Sequence, residues 1–436
     1  MEVTKELIVN CLKELRKNQS KYTVNKRYYE GDMDILKNYA MNVSRSNIKV
    51  VVNFVKRFID ERVSYITANP VNYISRTGDS NITNTVNANL GTWDKLHNQS
   101  LLKQAQIYGK SFELAYLDEN AEFQEMVLTP LNCYVLKSNK AGEGSILALH
   151  IFKEMFDDVT EYLDVYTKTE IQHYTCASTA ITYINSDTHP FGCVPVNVLK
   201  ANEEELSLVK DIKSLNDAFN NVLSDLVNEV SDFRQCFMTV TGAELTEEEA
   251  TKMKETGIIH IPADGKIGYL IKTINDQFVQ NLLKELEEKM FKAVSTIDSN
   301  QALQSNTSSL SIRARLFLLE TICGLIQAEL EATIRQRLSI YFRIEVMKTN
   351  KLFNQKDLII KFTPNIPSDI ASIADSISKL QTIVSQKTLL SLLPFVENPE
   401  LELAQFKKEQ EDIIDLDKIT APTESTLVEG DINANV

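Results

Sequence analysis

Several absences narrow what this 436-residue chain can do. Its six cysteines (Cys11, Cys133, Cys176, Cys193, Cys236 and Cys323) are scattered and form no C-x-x-C pair. That argues against a disulfide framework or zinc ribbon and for reduced, mostly buried thiols in a cytosolic setting. No apolar run approaches the ~18 residues of a membrane span. Residues 1–18 alternate charged and apolar side chains, without the h-region of a secretory signal. The expectation is a protein made in the cytoplasm with no membrane partner. Basic charge is also short: 46 Lys and Arg face 60 Asp and Glu, a formal net charge of −14. A chain that grips DNA tightly carries a basic footprint, so any DNA contact here must be local, weak or deliberately non-sticky.

Catalytic signatures are missing as well. Gly109-Lys110-Ser111 looks like the end of a phosphate-binding loop, but Gln104 stands where its first glycine belongs. A helix is expected before it, where that loop needs a strand. A glycine helix cap leading into a strand accounts for it. Gly142-Glu143-Gly144 lacks the third glycine and following helix of a dinucleotide fingerprint. The histidines, His97, His150, His173, His189 and His260, have no metal-ligand spacing to each other or to cysteine. Glu247, Glu248 and Glu249 open a short helix, where acidic groups complement the macrodipole. No catalytic residue, metal or cofactor is nominated, and the expectation is a non-enzyme.

What remains is a chain that is 43% hydrophobic, enough for a sizeable core divided among two or three lobes. The fold class expected is α+β and helix-rich. Helices are predicted over residues 3–17 and 47–67; in the second, Val51, Val52, Val55, Phe58, Ile59, Val63 and Ile66 share one face, and Lys49, Lys56, Arg57 and Arg62 the other. Another runs from about 84 to 108. Short β-rich runs follow at 112–117, 121–127, 146–152, 162–166, 171–174 and 180–184, a mainly antiparallel sheet region.

A long helix should then start at Asn202, with Glu205 completing a capping-box variant, and run to about residue 234. It carries eight acidic against three basic residues. After it comes a compact insert: a short helix from Thr246, then a hairpin of 258–262 and 267–272 turning at Asp264 and Gly265. Helices are expected at 276–297 and 310–342, a strand at 358–362, and helices at 369–384, 385–393 and 399–412. The stretch 298–309 is polar and holds neither Lys nor Arg. Beyond about residue 417 the tail reads as disordered.

The order of these parts resembles the portal proteins of long-tailed phages of Gram-positive hosts, over roughly residues 28–411. The likeness lies in Tyr28-Tyr-Glu-Gly31, in Asn47-Ile-Lys49 leading to residues 53–61, and in Tyr65 through Val71. It continues in Tyr108-Gly109 with residues 112–118, in Pro190 through Pro195, and in Leu223-Ser-Asp-Leu226. Phe362-Thr-Pro-Asn-Ile-Pro367, Val384-Ser-Gln-Lys-Thr388 and Leu393-Pro394 complete it. Each fragment is weak alone; their shared order is specific.

The resemblance implies a portal fold of wing, stem, clip and crown around a central channel, usually a ring of twelve. Carried over, residues 1–200 and 310–365 form the wing, and 201–238 and 276–297 the stem helices. Residues 239–275 form the clip, 298–309 the tunnel loop, 366–415 the crown and 416–436 the tail. The channel would be lined by Asp217, Asp225 and Glu229 of the stem and by Gln301, Gln304, Ser305 and Asn306 of the loop. In the clip, Glu247, Glu248, His260, Asp264 and Lys266 would meet the terminase large subunit and later the head-completion adaptor. Double-stranded DNA, major capsid protein and scaffold are the other implied partners. The implied place is the capsid vertex of the virion, after assembly in the host cytoplasm. Where relatives have a Ser-Gly pair in the tunnel loop, this chain has Ser308-Ser309. The competing reading is another phage assembly protein, a scaffold or adaptor without a channel.

Overall fold

A computed structural model describes residues 3–41, 46–157, 159–233, 237–241, 246, 248, 251, 265–270, 276–296, 309–363, 370–390, 392–393, 396, 399 and 402–410. The chain divides into two units, Met1–Asn365 and Ile366–Val436.

The first unit begins with helix α1 (Lys5–Glu30), whose Thr4 hydroxyl accepts the Leu7 N–H and whose end is turned by Gly31 at φ 89°. Ile8, Cys11, Leu12 and Leu15 form its buried stripe, the i, i+3, i+4, i+7 spacing of an amphipathic helix. The helix runs well past the expected end near residue 17, because Tyr28, wholly buried, anchors its last turn and only Gly31 stops it. Helix α2 (Ile35–Asn38) is one turn. Helix α3 covers only Phe54–Thr67. The predicted first two turns, from residue 47, are extended instead, for a reason that lies on the long helix after the sheets. Arg62 is also not on a solvated basic face: it is buried, with Nη2 donating to the Val294 carbonyl at 2.8 Å.

Strand β1 (Asn72–Ser75) leads to helix α4 (Ser80–Asn89), a 3-10 turn at Leu90–Thr92, and helix α5 (Asp94–Tyr108). The single helix expected over 84–108 is thus two, broken by the 3-10 turn that contains Gly91. Among the described residues eight strands carry the sheet region, β1 pairing outside it. After β1 come β2 (Lys110–Leu117), β3 (Phe123–Leu128), β4 (Cys133–Lys137), β5 (Ser145–Phe152), β6 (Glu161–Tyr166), β7 (Glu170–Ala177), β8 (Ala180–Thr188) and β9 (Val196–Lys200). Of these, β4 and β9 were not among the expected runs. The order β4-β5-β6-β7-β8 makes an antiparallel meander, and β3-β2-β9 a smaller sheet.

Alternation along β5 explains how these layers stack. Leu147, Leu149 and Ile151 face the buried stripe of α1, and Ala148 faces Phe112, Leu114 and Val196 of the smaller sheet. The five described cysteines are unpaired, four of them buried.

The long helix α6 is Leu208–Phe233. It starts later than Asn202, whose side chain instead accepts the Leu206 N–H and donates to the Leu206 carbonyl. Glu205 sits at φ 55°, paired with Lys110 and Lys200. Ser207 takes the capping place, accepting the Val209 N–H at 3.1 Å. Strand β10 (Phe237–Thr241) pairs antiparallel with β11 (Lys266–Leu270), Thr241 opposite Lys266. The expected partner strand at 258–262 lies outside the described residues.

Helix α7 (Asp276–Ala293) packs on α6, and α8 (Ser309–Thr349) is the longest helix described. Strand β12 (Leu358–Lys361) pairs with β1. The second unit contains α9 (Ile370–Leu380), α10 (Gln386–Leu390) and helical residues 402–410. The expected disordered tail lies outside the described residues.

Candidate functional site

Helix α6 explains the fate of residues 46–54. Its Asn216, Asn220, Ser224 and Asn228 are fully buried, and with Asp232 they stand four apart on one face. Each accepts a backbone N–H from an extended strap: Phe54 to Asn216 at 3.2 Å, Val52 to Asn220 at 2.9 Å, Val50 to Ser224 at 2.9 Å, Ile48 to Asn228 at 2.6 Å and Ser46 to Asp232 at 2.9 Å. The amides of Asn216 and Asn228 donate back to the carbonyls of Val52 and Ile48 at 2.9 and 2.8 Å.

The match is geometric. Four helical residues rise about 6 Å and two extended residues about 6.6 Å, so a side-chain ladder on a helix can stand in for a neighbouring strand. The strap runs antiparallel to α6 and buries what would otherwise be costly lone amides.

Of the predicted channel residues, Asp217 accepts the Tyr28 hydroxyl at 2.8 Å and pairs with Lys213 at 2.9 Å. Burial pushes the Tyr28 phenol well above its usual range, with Asp217 adding to the shift. Asp225 is exposed and accepts the Tyr39 hydroxyl at 2.7 Å. Glu229 lies half-buried one turn on. The three therefore lie on one helix, with Asp217 tied to α1 and Asp225 reached by the segment after α2. Gln301, Gln304, Ser305, Asn306, Glu247, His260 and Asp264 lie outside the described residues. Glu248 is exposed and helical, and Lys266 is exposed at the start of β11.

Sequence reasoning missed a second constellation. Arg337 of α8 is wholly buried and reaches Glu113 of β2 at 2.5 Å and Glu125 of β3 at 2.7 Å. His97 of α5 lies 3.0 Å from Glu113 and 3.4 Å from Glu125. Asn98 accepts from Arg337 at 3.0 Å, and Asn197 donates to Glu113 at 3.0 Å. Burial acts to raise Glu113, but the charge of Arg337 and the His97 hydrogen bond outweigh it and hold the carboxyl well below its usual range. Glu125 is raised well above it, by burial first and then by the charge on Glu113. Burial also lowers His97.

Arg337 thus faces two carboxylates, with Glu113 favoured in its charged form and Glu125 and His97 pushed toward their neutral forms. His97, Glu113 and Glu125 have ligand atoms within 4.8 Å of one another, the one such group among the described residues. Arg337 already supplies the positive charge that a metal would bring to these carboxylates. The signal in the sequence was faint: Glu113 and Glu125 each interrupt a β-rich run, while Arg337 follows Arg335 and Gln336 and does not stand out.

The phosphate-loop look-alike is also accounted for. Gly109, at φ 95°, ends α5, Lys110 pairs with Glu205 at 2.7 Å, and the buried Ser111 hydroxyl donates to the Leu101 carbonyl. No described helix is long and apolar enough to cross a membrane.

Comparison with known proteins gives a consistent result. The portal protein of Bacillus phage SPP1 is 22% identical over 379 residues, covering 81% of this chain and 74% of that protein. The portal protein of Clostridium phage phiCD119 is 22% identical over 418 residues, covering 86% and 89%. Among solved structures, the neck of an empty GTA particle computed with C6 symmetry aligns with a TM-score of 0.48 at 10% identity, covering 78% of this chain and 90% of that one. The virion of a native gene transfer agent particle aligns at 0.47 and 12%, covering 77% and 88%. The family described as "Phage portal protein, SPP1 Gp6-like" matches residues 9–416, and the chain belongs to that family.

Proposed function

We propose that this chain is the structural, non-enzymatic subunit of a ring, a dodecamer in the virion, at the capsid vertex. Double-stranded DNA passes through it during packaging and ejection. The observation that carries the proposal is the family match across residues 9–416. In this reading α6 and α7 form the stem and residues 298–309 the tunnel loop, with Gln301, Gln304, Ser305 and Asn306 nearest the DNA. The clip residues Glu247, Glu248, His260, Asp264 and Lys266 receive the terminase large subunit and then the head-completion adaptor. Major capsid and scaffold proteins surround the wing during assembly in the host cytoplasm.

Surface chemistry supports an assembled state. Val230 of α6, Phe278 of α7, and Phe317, Leu318 and Leu325 of α8 are all more than half exposed, large apolar surface that a monomer gains nothing by showing. Charge supports a conduit. A duplex slides past acidic, hydroxyl-rich walls without the counterion-release affinity that basic walls create. Asp225 and Glu229 are the carboxylates best placed for that role, and Asp217 anchors the stem to α1.

An axial view of the purified oligomer by electron microscopy tests the ring. A closed ring with an axial channel is expected; open filaments or monomers under assembly conditions would favour an adaptor or scaffold. Asp225→Asn with Glu229→Gln should increase duplex retention in the assembled ring at low salt, and unchanged DNA binding and packaging would sink the charge argument.

A further inference from the structure

We propose that His173 is a proton-operated clasp on the open edge of the meander. With a proton on each ring nitrogen it ties β6 to β8; with one proton gone, the far end of β8 loosens.

Strand β8 closes the order β4-β5-β6-β7-β8 and pairs with β7 alone. Ile181 is its one buried residue, and every residue from Thr182 to Thr188 is exposed. The register shifts between His173 and Tyr174: Tyr183 faces Tyr174 and Asn185 faces His173, with Ile184 unmatched between them. Apolar packing therefore holds the start of the strand. Past the bulge, residues 185–188 depend on the backbone ladder and on side-chain ties. A loosened edge bares N–H and C=O groups of the strand behind it, so such a tie decides how much of β7 is open to pairing.

The tie spans three strands. His173 stands opposite Asp164 of β6. Its Nδ1 lies 2.6 Å from Asp164 Oδ1, and its Nε2 lies 3.3 Å from Asp187 Oδ2. Carboxylates only accept, and a neutral imidazole has a single N–H, so both contacts are hydrogen bonds in the imidazolium alone. When one proton leaves, the geometry selects which contact survives. The Asp164 contact is shorter, and the Asp164 side chain is 13% exposed against 69% for Asp187. The remaining N–H stays with Asp164, and the Nε2 lone pair then faces the Asp187 carboxylate. Histidine changes charge between pH 5 and 8, so the clasp is closed at the acid end of that range and open at the other.

The surrounding groups do not supply the same tie. Among the described residues no Lys or Arg pairs with Asp164 or Asp187. His150 stands opposite Asp164 on β5, and burial pushes it toward its neutral form. Burial first, and then the Asp164 charge, hold the Tyr166 phenol well above its usual range. Glu170 accepts the Gln172 amide at 2.6 Å. His189, two residues past Asp187, reaches the Thr167 carbonyl through Nε2 at 3.0 Å, and burial lowers it. Its tie weakens as pH falls, the opposite sign to the clasp.

Amide exchange on the full chain tests this with four proteins: native, Asp187→Asn, His173→Gln and the double variant. After division by the intrinsic rate at each pH, amides of residues 185–188 should exchange about two- to fivefold faster in Asp187→Asn than in the native chain at about pH 5.5, the scale of one partly exposed ion pair. At about pH 8 they should exchange no faster. With His173→Gln in place, Asp187→Asn should have the same small effect at both pH values. His150 and His189 are common to all four proteins, so their titration cancels. The amides of Leu149 and Val165, in the buried part of the sheet, report any wider unfolding. An Asp187→Asn effect that is equal at the two pH values, that is larger at pH 8, or that keeps its pH dependence without His173 would overturn the clasp. None of these outcomes depends on the ring reading.

Discussion

Replacing Asn216 with alanine tests the ladder that holds the strap to α6. The side chain is fully buried, accepts the buried Phe54 N–H at 3.2 Å and donates to the Val52 carbonyl at 2.9 Å. Two hydrogen bonds at a net ~1 kcal/mol each are lost, and one buried N–H is left without a partner at about 1–3 kcal/mol. The bond and desolvation terms overlap, so the expected loss is about 2–4 kcal/mol in denaturant unfolding. Asn221→Ala, on the exposed face of the same helix, should fall within about 0.5 kcal/mol of the native chain.

Single-amide hydrogen exchange on the isolated subunit gives a sharper readout. The N–H groups of Ile48, Val50 and Val52 are bound to α6, and the described residues offer none for those of Asn47, Lys49 and Val51. Protection should therefore alternate along the strap and, in Asn216→Ala, vanish first at Phe54, whose N–H Asn216 accepts, while the Val52 N–H keeps its Asn220 acceptor. Uniform protection, or uniform fast exchange, from 47 to 52 would refute the ladder.

Three further outcomes follow from the buried charge cluster and the entry to β2. Glu125 has a raised folded-state pKa, so its contribution is complete below the unfolded carboxyl value of about 4.3 and declines as pH rises, by at most about 1.4 kcal/mol per pH unit. Glu125→Gln should remove that decline, and parallel stability–pH curves for variant and native chain between pH 5 and 8 would contradict a raised Glu125 carboxyl. Arg337→Met leaves Glu113 buried without its cation and should cost about 3–5 kcal/mol in denaturant unfolding, part of it restored by adding Glu113→Gln; a loss near zero would mean the pair is solvated. Gly109→Ala forces a Cβ to within 2.1 Å of the Glu205 carbonyl oxygen at φ 95°, and should lose more than about 2 kcal/mol; native-like melting would show that the β2 entry can shift.

How far the sequence could be read depended on whether local periodicity and tertiary demand agreed. They agree in α1, where the stripe from Ile8 to Leu15 meets the sheet it predicts, and in β5, where alternation sends successive residues to different cores. They disagree at the strap. Val51, Val52 and Val55 satisfy a helical template as well as an extended one, and three valines between 50 and 52 favour neither decisively.

What decides is on the other partner. Asparagine and serine are poor choices for a helix interior, because their side chains compete for backbone hydrogen bonds. A long apolar-faced helix that nonetheless places them at 216, 220, 224 and 228 spends propensity at every fourth residue. Solvent cannot be the reason, since all four are fully buried. A buried amide must find a donor and an acceptor, and a register of four on a helix matches a register of two on an extended chain. The period-four polar stripe was thus the legible mark of an extended partner. Only the identity of that partner, residues 46–54, needed coordinates. The same reasoning covers Glu113, Glu125 and Arg337. A buried charge must be paired, but nothing in three separate segments says that these pair with one another.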